Sequence, residues 1–130
     1  MTRINVIPPD ELCDQHLLAE HRELTRIPNA VAKGKFHLDN LPNDYKLGTG
    51  HVRFFFNKLT FLKKRYQALH QECKARGFNV KYIWPDNLPE DSELWLDYIP
   101  TENAIAINKA RIAERMPVKP RFTSYKKQES

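Results

Sequence analysis

The sequence predicts an all-α fold. Three stretches carry apolar residues at helical spacing, glycines and prolines close those stretches, and no two segments alternate convincingly with period two. At 130 residues the chain fits one domain, 1–130, with a single core. Helices are expected over about residues 10–27, 50–76 and 102–115, joined by long loops.

Residues 2–7 (TRINVI) run into Pro8-Pro9, which forbid their continuation as a helix. Asp10 is the expected N-cap of the first helix, with Glu11 and Asp14 in the first turn, where the dipole favours acids. That helix is expected to reach Arg26 or Ile27, where Pro28 and Asn29 interrupt it. At 100° per residue, Cys13, Leu17 and Leu24 share one face. His16, Ala19, Glu23 and Arg26 share another, with Arg22 at its edge. This polar stripe is compact enough to line a site, and an ordinary solvated face with arginines paired to glutamates is the competing reading.

Residues 28–49 read as a connecting loop (PN, KGK, DNLPND, LGTG) with a short helical extension over 30–33. Gly48-Thr49-Gly50 lacks the length and the preceding strand of a phosphate-binding loop. The second helix has the clearest pattern: Val52, Phe55, Leu59, Leu62, Tyr66, Leu69 and Cys73 form one seam, and Phe54, Phe56 and Phe61 broaden it. Lys58, Lys63, Lys64, Arg65, Lys74 and Arg76 fall largely off the seam, and Gly77 stands where a left-handed C-cap ends the helix. Residues 78–84 are an extended crossover. Residues 85–100 are an acidic, Pro-rich loop with one short turn near 93–96. Thr101 caps the third helix, with Ile105, Ile112, Ala106, Ala110 and Ala113 expected at its contacts and Arg111 and Arg115 sharing a face. The basic tail from Lys119 is expected to lie partly over the body of the domain.

Charge is segregated. The net formal charge is +5, and residues 50–77 carry seven Lys/Arg against one Asp/Glu, whereas residues 84–102 carry none against six. A basic surface on a small domain points to nucleic acid before membrane, because no apolar run is long enough to span a bilayer. A merely solvated basic face is the alternative. Cys13 and Cys73 have no CxxC spacing and read as buried apolar residues in a reducing compartment. His16 and His21 are five apart, off the spacing of a helical metal pair, so neither metal nor cofactor is expected. The N-terminus has no apolar core of a signal peptide, and an intracellular protein is expected, in a bacterial cytoplasm or a virus-infected cell.

Several blocks carry a resemblance to a family. They are Thr2-Arg3-Ile4-Asn5, the DQHL and E-x-REL run of Asp14 to Leu24, and G-x-GHV-x-FF-x-x-KL-x-FL-x-KR from Gly48 to Arg65. EC-x-x-RGFN from Glu72, DYIP from Asp97 and the helix bearing Arg111 follow in order. Together they resemble the phage-type pyrimidine-dimer DNA glycosylases, also called dimer-specific endonuclease V. The resemblance implies a compact domain of three helices with the N-terminal segment threaded between them. It implies a monomer acting on double-stranded DNA that carries UV-induced pyrimidine dimers, by glycosylase and abasic-site lyase chemistry.

By the same resemblance Thr2, freed of Met1, is the nucleophile whose amine forms an imine with the sugar, and Glu23 is the catalytic carboxylate. Arg3, His16, Arg22, Arg26, Arg111 and Arg115 match DNA-contacting positions. An α-amine has a reference pKa of about 7.7–8.0 against about 10.4 for lysine, so it is partly nucleophilic at neutral pH. The chain departs from the family in a shorter segment between Ile27 and Gly48, and in Phe122, Thr123, Ser124 and Tyr125 where tryptophan and tyrosine are common. An abasic-site lyase without dimer activity and a non-enzymatic DNA-binding module are the alternatives.

Overall fold

Pro8 and Pro9 set the first structural boundary. In the computed structural model, which describes residues 2–123, residues 2–7 are non-helical, and a 3-10 turn follows over Pro9–Glu11. Met1, and with it the state of the Thr2 nitrogen, lies outside the described residues, as do Ser124, Tyr125 and the remaining tail. The helices are α1 (Asp14–Leu24), α2 (Arg26–Ala32), α3 (His51–Phe54), α4 (Leu59–Ala75) and α5 (Glu102–Glu114). A second 3-10 turn, Ser92–Leu94, lies in the acidic loop. The fold is all-α: among the described residues the only β feature is an isolated bridge between Lys58 and Trp95. No described helix is long and apolar enough to cross a membrane.

The first helix starts later than expected. Asp10 sits inside the 3-10 turn, and Leu12 and Cys13 are extended, so that both side chains enter the core. Arg76, at the C-terminal cap of α4, makes this possible. Its guanidinium donates to the carbonyls of Pro9, Asp10 and Leu12 at 3.3, 3.5 and 2.8 Å, groups that a helix would otherwise have satisfied. It also pairs with Asp14 and Glu72, both at 2.8 Å. The helix also breaks differently at its far end. Pro28 has no N–H for the carbonyl four residues back, which is that of Leu24, and α1 ends there. The chain then turns at Thr25, whose hydroxyl donates to the Arg22 carbonyl, and resumes as α2. Pro28 occupies the first turn of α2, where a missing N–H costs nothing.

The expected helix over 50–76 is two helices. Phe54, Phe55 and Phe56 are all buried, which successive positions 100° apart on one continuous helix cannot achieve against a single core face. The backbone opens between Phe55 and Lys58, and the freed groups find partners in the acidic loop. Leu96 N–H donates to Asn57 O at 3.1 Å, and Phe61 N–H, which would have met Asn57 O in a continuous helix, donates to Leu96 O at 3.4 Å. The ending matches expectation: Gly77 has φ 89°, and Phe78 N–H returns to Cys73 O at 2.8 Å.

Thr101 caps α5 as expected, its hydroxyl accepting from Ala104 N–H at 3.0 Å. The buried face of α5, however, is Ala104, Asn108 and Ile112; Ala106, Ala110 and Ala113 are exposed. The stretch after α5 doubles back over the start of α1, where Gln15 bonds Lys119 O and Arg121 N–H and the Asp14 carboxylate accepts from Thr123. Cys13 and Cys73 are buried free thiols, and burial pushes the Cys73 thiol up to about 11.

At the centre, Arg65 enters the core from α4, a position the apolar seam had left outside. Its guanidinium meets both Glu20 carboxylate oxygens at 2.8 and 2.9 Å and also donates to Ile7 O. Both partners are almost wholly buried. Removing one member strands the other without water. Glu20→Ala should therefore cost about 3–5 kcal/mol, whereas Lys64→Ala, which breaks the exposed Lys64–Asp97 pair, should cost under about 1 kcal/mol. Urea denaturation of both variants measures the contrast, and equal losses would contradict this account of the core.

Candidate active site

The N-terminal segment has no helix and no ladder to satisfy its backbone, so its N–H groups need side-chain acceptors. Those of residues 3–6 are supplied in succession. Arg3 N–H donates to Glu23 Oε1 at 3.1 Å, Ile4 N–H to His51 Nε2 at 2.9 Å, Asn5 N–H to Glu20 Oε2 at 3.2 Å, and Val6 N–H to Asn108 Oδ1 at 2.7 Å. The acceptors alternate between α1 on one side and α3 or α5 on the other, the alternation of an extended chain. Tyr45 completes the grip by donating its hydroxyl to Ile4 O at 2.8 Å. Ile4, Asn5, Val6 and Ile7 are buried as a result, and the expected threading of the segment between helices is observed.

A pocket of about 110 Å³ opens beside Arg3 and is lined by Arg3, Asn5, His16, Ala19, Glu20 and Glu23. The stripe on the first helix thus faces the N-terminus. A second pocket of about 200 Å³ lies on the other side of Arg3, between Thr2, Leu47, Gly48, His51, Val52 and Arg111. Three covalent bonds separate the Arg3 nitrogen from the Thr2 nitrogen, keeping the two within about 3.7 Å. The carboxylate that accepts from Arg3 is therefore near the end of the chain. Arg22 Nη2 stands 3.6 Å from Glu23 Oε2, and Arg26 Nη1 is 3.4 Å from the Thr2 hydroxyl. The Glu23 carboxylate thus has the Arg22 guanidinium beside it, with the Arg26 guanidinium at the neighbouring Thr2 hydroxyl, cations suited to an anionic substrate.

With that geometry in place, the comparison with known families is decisive. The profile of the family described as pyrimidine dimer DNA glycosylase matches residues 1–86. The chain belongs to the pyrimidine dimer DNA glycosylase family. It is accordingly an enzyme of DNA repair whose substrate is DNA. Thr2, Arg3, His16, Arg22, Glu23 and Arg26 fall within the matched glycosylase region, whereas Arg111 and Arg115 lie beyond it.

The structure treats the expected site residues of this glycosylase unequally. Thr2, Arg3, His16, Glu23 and Arg111 line the two pockets, and Arg22 and Arg26 border them. Arg115 is exposed at the end of α5; its carbonyl, 3.1 Å from His16 Nε2, is the part of it that meets the site. Sequence reasoning gave no role to Asn5, Glu20, Tyr45, His51, Arg65 or Asn108. For Glu20 a signal existed, because it stands three residues before Glu23 on the same helix. Asn108 stands at the middle of the 104, 108, 112 face, a polar residue at core spacing whose Nδ2 donates to Asn5 Oδ1 at 2.7 Å.

Burial also shifts two imidazoles. It pushes the His51 imidazole below its ordinary value; the Lys46 carbonyl and Glu20 act against this, while Arg3 and Arg111 reinforce it. His21, fully buried with Nε2 3.1 Å from His70 Nδ1, is likewise pushed down by burial and by His70. Unfolding releases both imidazoles to an ordinary value of about 6.5, so between the folded and unfolded values the unfolded chain holds more protons. The stability that these groups contribute is present above about pH 6.5 and is lost as pH falls through their lower folded values. The urea midpoint should therefore drop between about pH 7 and pH 5; a flat or rising midpoint over that range would contradict it.

Proposed function

We propose that this glycosylase acts through the amine of Thr2 on a chain from which Met1 has been removed, as a monomer on double-stranded DNA containing cyclobutane pyrimidine dimers. The observation that carries the proposal is the hydrogen bond from Arg3 N–H to Glu23 Oε1, which holds the first residues of the chain at a carboxylate that Arg22 flanks. The Thr2 nitrogen lone pair bonds to C1′ of the 5′ nucleotide of the dimer. The C1′–N1 pair leaves with the base, which stays linked to its 3′ neighbour through the cyclobutane ring. The attacking nitrogen gives up a proton to the departing base, and the C1′–O4′ bond breaks as O4′ takes a proton from solvent. Glu23 opposes the positive charge of the protonated imine that results.

The imine acidifies C2′. Glu23 assists the removal of a C2′ proton, the electrons form a C2′–C3′ double bond, and the C3′–O bond breaks with loss of the 3′ phosphate. Arg3, Arg22, Arg26 and Arg111 hold the phosphates around the lesion, and His16 borders the pocket that receives the opened sugar. Arg115 extends the basic surface from the end of α5. Reaching C1′ requires the target to be unstacked, and a dimer, already poorly paired, costs least to disturb.

The test is borohydride trapping on a duplex with one defined cyclobutane dimer, followed by mass mapping of the adduct. A cross-link on the Thr2 nitrogen is expected, and none should form with protein retaining Met1. Trapping with abasic DNA alone would leave a lyase without dimer activity. No trapping on either duplex would leave a DNA-binding module. Glu23→Gln should bind dimer DNA with unchanged affinity and lose about 10²–10⁴-fold in strand cleavage; a Gln variant that cuts at the wild-type rate removes the carboxylate from the mechanism.

A further inference from the structure

His51 has no role in the reaction as described above, yet it contacts the backbone one residue from the site. Its two ring nitrogens face groups of opposite kind. Nδ1 is 2.7 Å from the Lys46 carbonyl oxygen, which only accepts, and Nε2 is 2.9 Å from the Ile4 N–H, which only donates. One state of the ring meets both demands: the neutral tautomer with its proton on Nδ1. The ring is itself clamped. It is nearly inaccessible, and Tyr45 and Phe55 pack edge-on against it at centroid distances of 5.3 and 5.5 Å.

The Ile4 N–H belongs to the peptide that joins Ile4 to Arg3. Its neighbour on the N-terminal side, Arg3 N–H, is the one held by Glu23. Two consecutive N–H groups are thus fixed from opposite sides, by α1 and by α3, and together they set where the chain before Arg3 points. The bond to Glu23 does not by itself orient the peptide that joins Arg3 to Ile4. With His51 the direction is fixed.

We propose that His51 is a positioning residue, a neutral Nδ1–H imidazole that aims the N-terminal amine by accepting the Ile4 N–H. The proposal rests on the reading that the amine of Thr2 is the nucleophile. It has a consequence for pH. A protonated His51 presents N–H at both nitrogens, so Nε2 meets the Ile4 N–H donor to donor and the segment loses its anchor. The charged and titratable groups facing the ring are Arg3 of the N-terminal segment, Glu20 of α1, Arg111 of α5 and Tyr45 of the connecting loop. The arginines oppose a proton on His51, and Glu20 favours one. Protonation of the amine removes activity by itself with unit slope, and protonation of His51 adds a second unit.

Two measurements on the chain without Met1 test this. Nitrogen-15 spectra of the histidines in the wild-type protein should give His51 as the Nδ1–H tautomer, with the Ile4 amide proton shifting at the midpoint at which His51 titrates. An Nε2–H tautomer, or an Ile4 amide indifferent to that midpoint, overturns the proposal whether or not the protein cuts DNA. The second measurement is single-turnover cleavage of an abasic-site duplex. His51→Asn keeps a donor for Lys46 O and loses the Nε2 acceptor, and should cleave about 100-fold more slowly with DNA affinity unchanged.

His51→Gln keeps an acceptor at the ε position and should recover most of that loss. Its acid limb should have slope one where the wild type steepens to two. A Gln variant as slow as Asn, or one that keeps the second slope, overturns the role. A wild-type protein that gives no adduct at Thr2 sinks the nucleophile reading instead, and the tautomer measurement still decides what His51 holds.

Discussion

The structure depends on how an unladdered stretch of backbone is kept dry. Residues 3–6 run between the helices while belonging to neither helix nor sheet, and their N–H groups are received in turn by Glu23, His51, Glu20 and Asn108. A buried N–H without a partner costs on the order of 1–3 kcal/mol, so four in succession would make the threading untenable for a domain of this size. Side chains from three helices are committed to this one segment. The helices are in turn tied together by it, and the site at its end inherits their rigidity.

The acceptors need support of their own. Glu20 is a buried carboxylate that serves Asn5 twice and is neutralised by the forked guanidinium of Arg65, which also takes the Ile7 carbonyl. Arg76 plays the corresponding part at the other end of the segment. It gathers the carbonyls of the Pro9 turn and the carboxylates of Asp14 and Glu72. Asp14 then binds Thr123: burial raises its carboxyl, and the hydrogen bonds of Thr123 and Arg76 outweigh this and hold it below the ordinary range. Arg65 of α4 and Arg76 at its C-terminal cap therefore act inside the protein. The cations at the two pockets come from the N-terminal segment, α1, α2 and α5.

Much of the site could be read from the chain. His16, Ala19 and Glu23 share a helical face by spacing alone, and they line one pocket. The end of α4 at Gly77 and the start of α5 at Thr101 follow from local chemistry, because a left-handed cap and a hydroxyl cap involve only residues a few positions apart. Other elements were not legible. Asp10 looks like a better N-cap than Cys13, and it loses because Arg76, 66 residues away, satisfies carbonyls that a helix would have used. The interruption at 55–58 needs the acidic loop as its partner. His51 resembles an ordinary polar residue until the segment it holds is in place.

The sequence by itself determined the helical class, the positions of the strongest caps and the residues offered to the site, since these rest on periodicity, dihedral preference and contacts along one helix. Tertiary structure decided which charged residues are internal, where two helices break, and how the N-terminus is aimed. The physical reason is the same in each case. Whether a buried N–H, carbonyl or carboxylate is tolerable depends on a partner 15 to 102 residues away, and spacing along the chain carries no record of that partner.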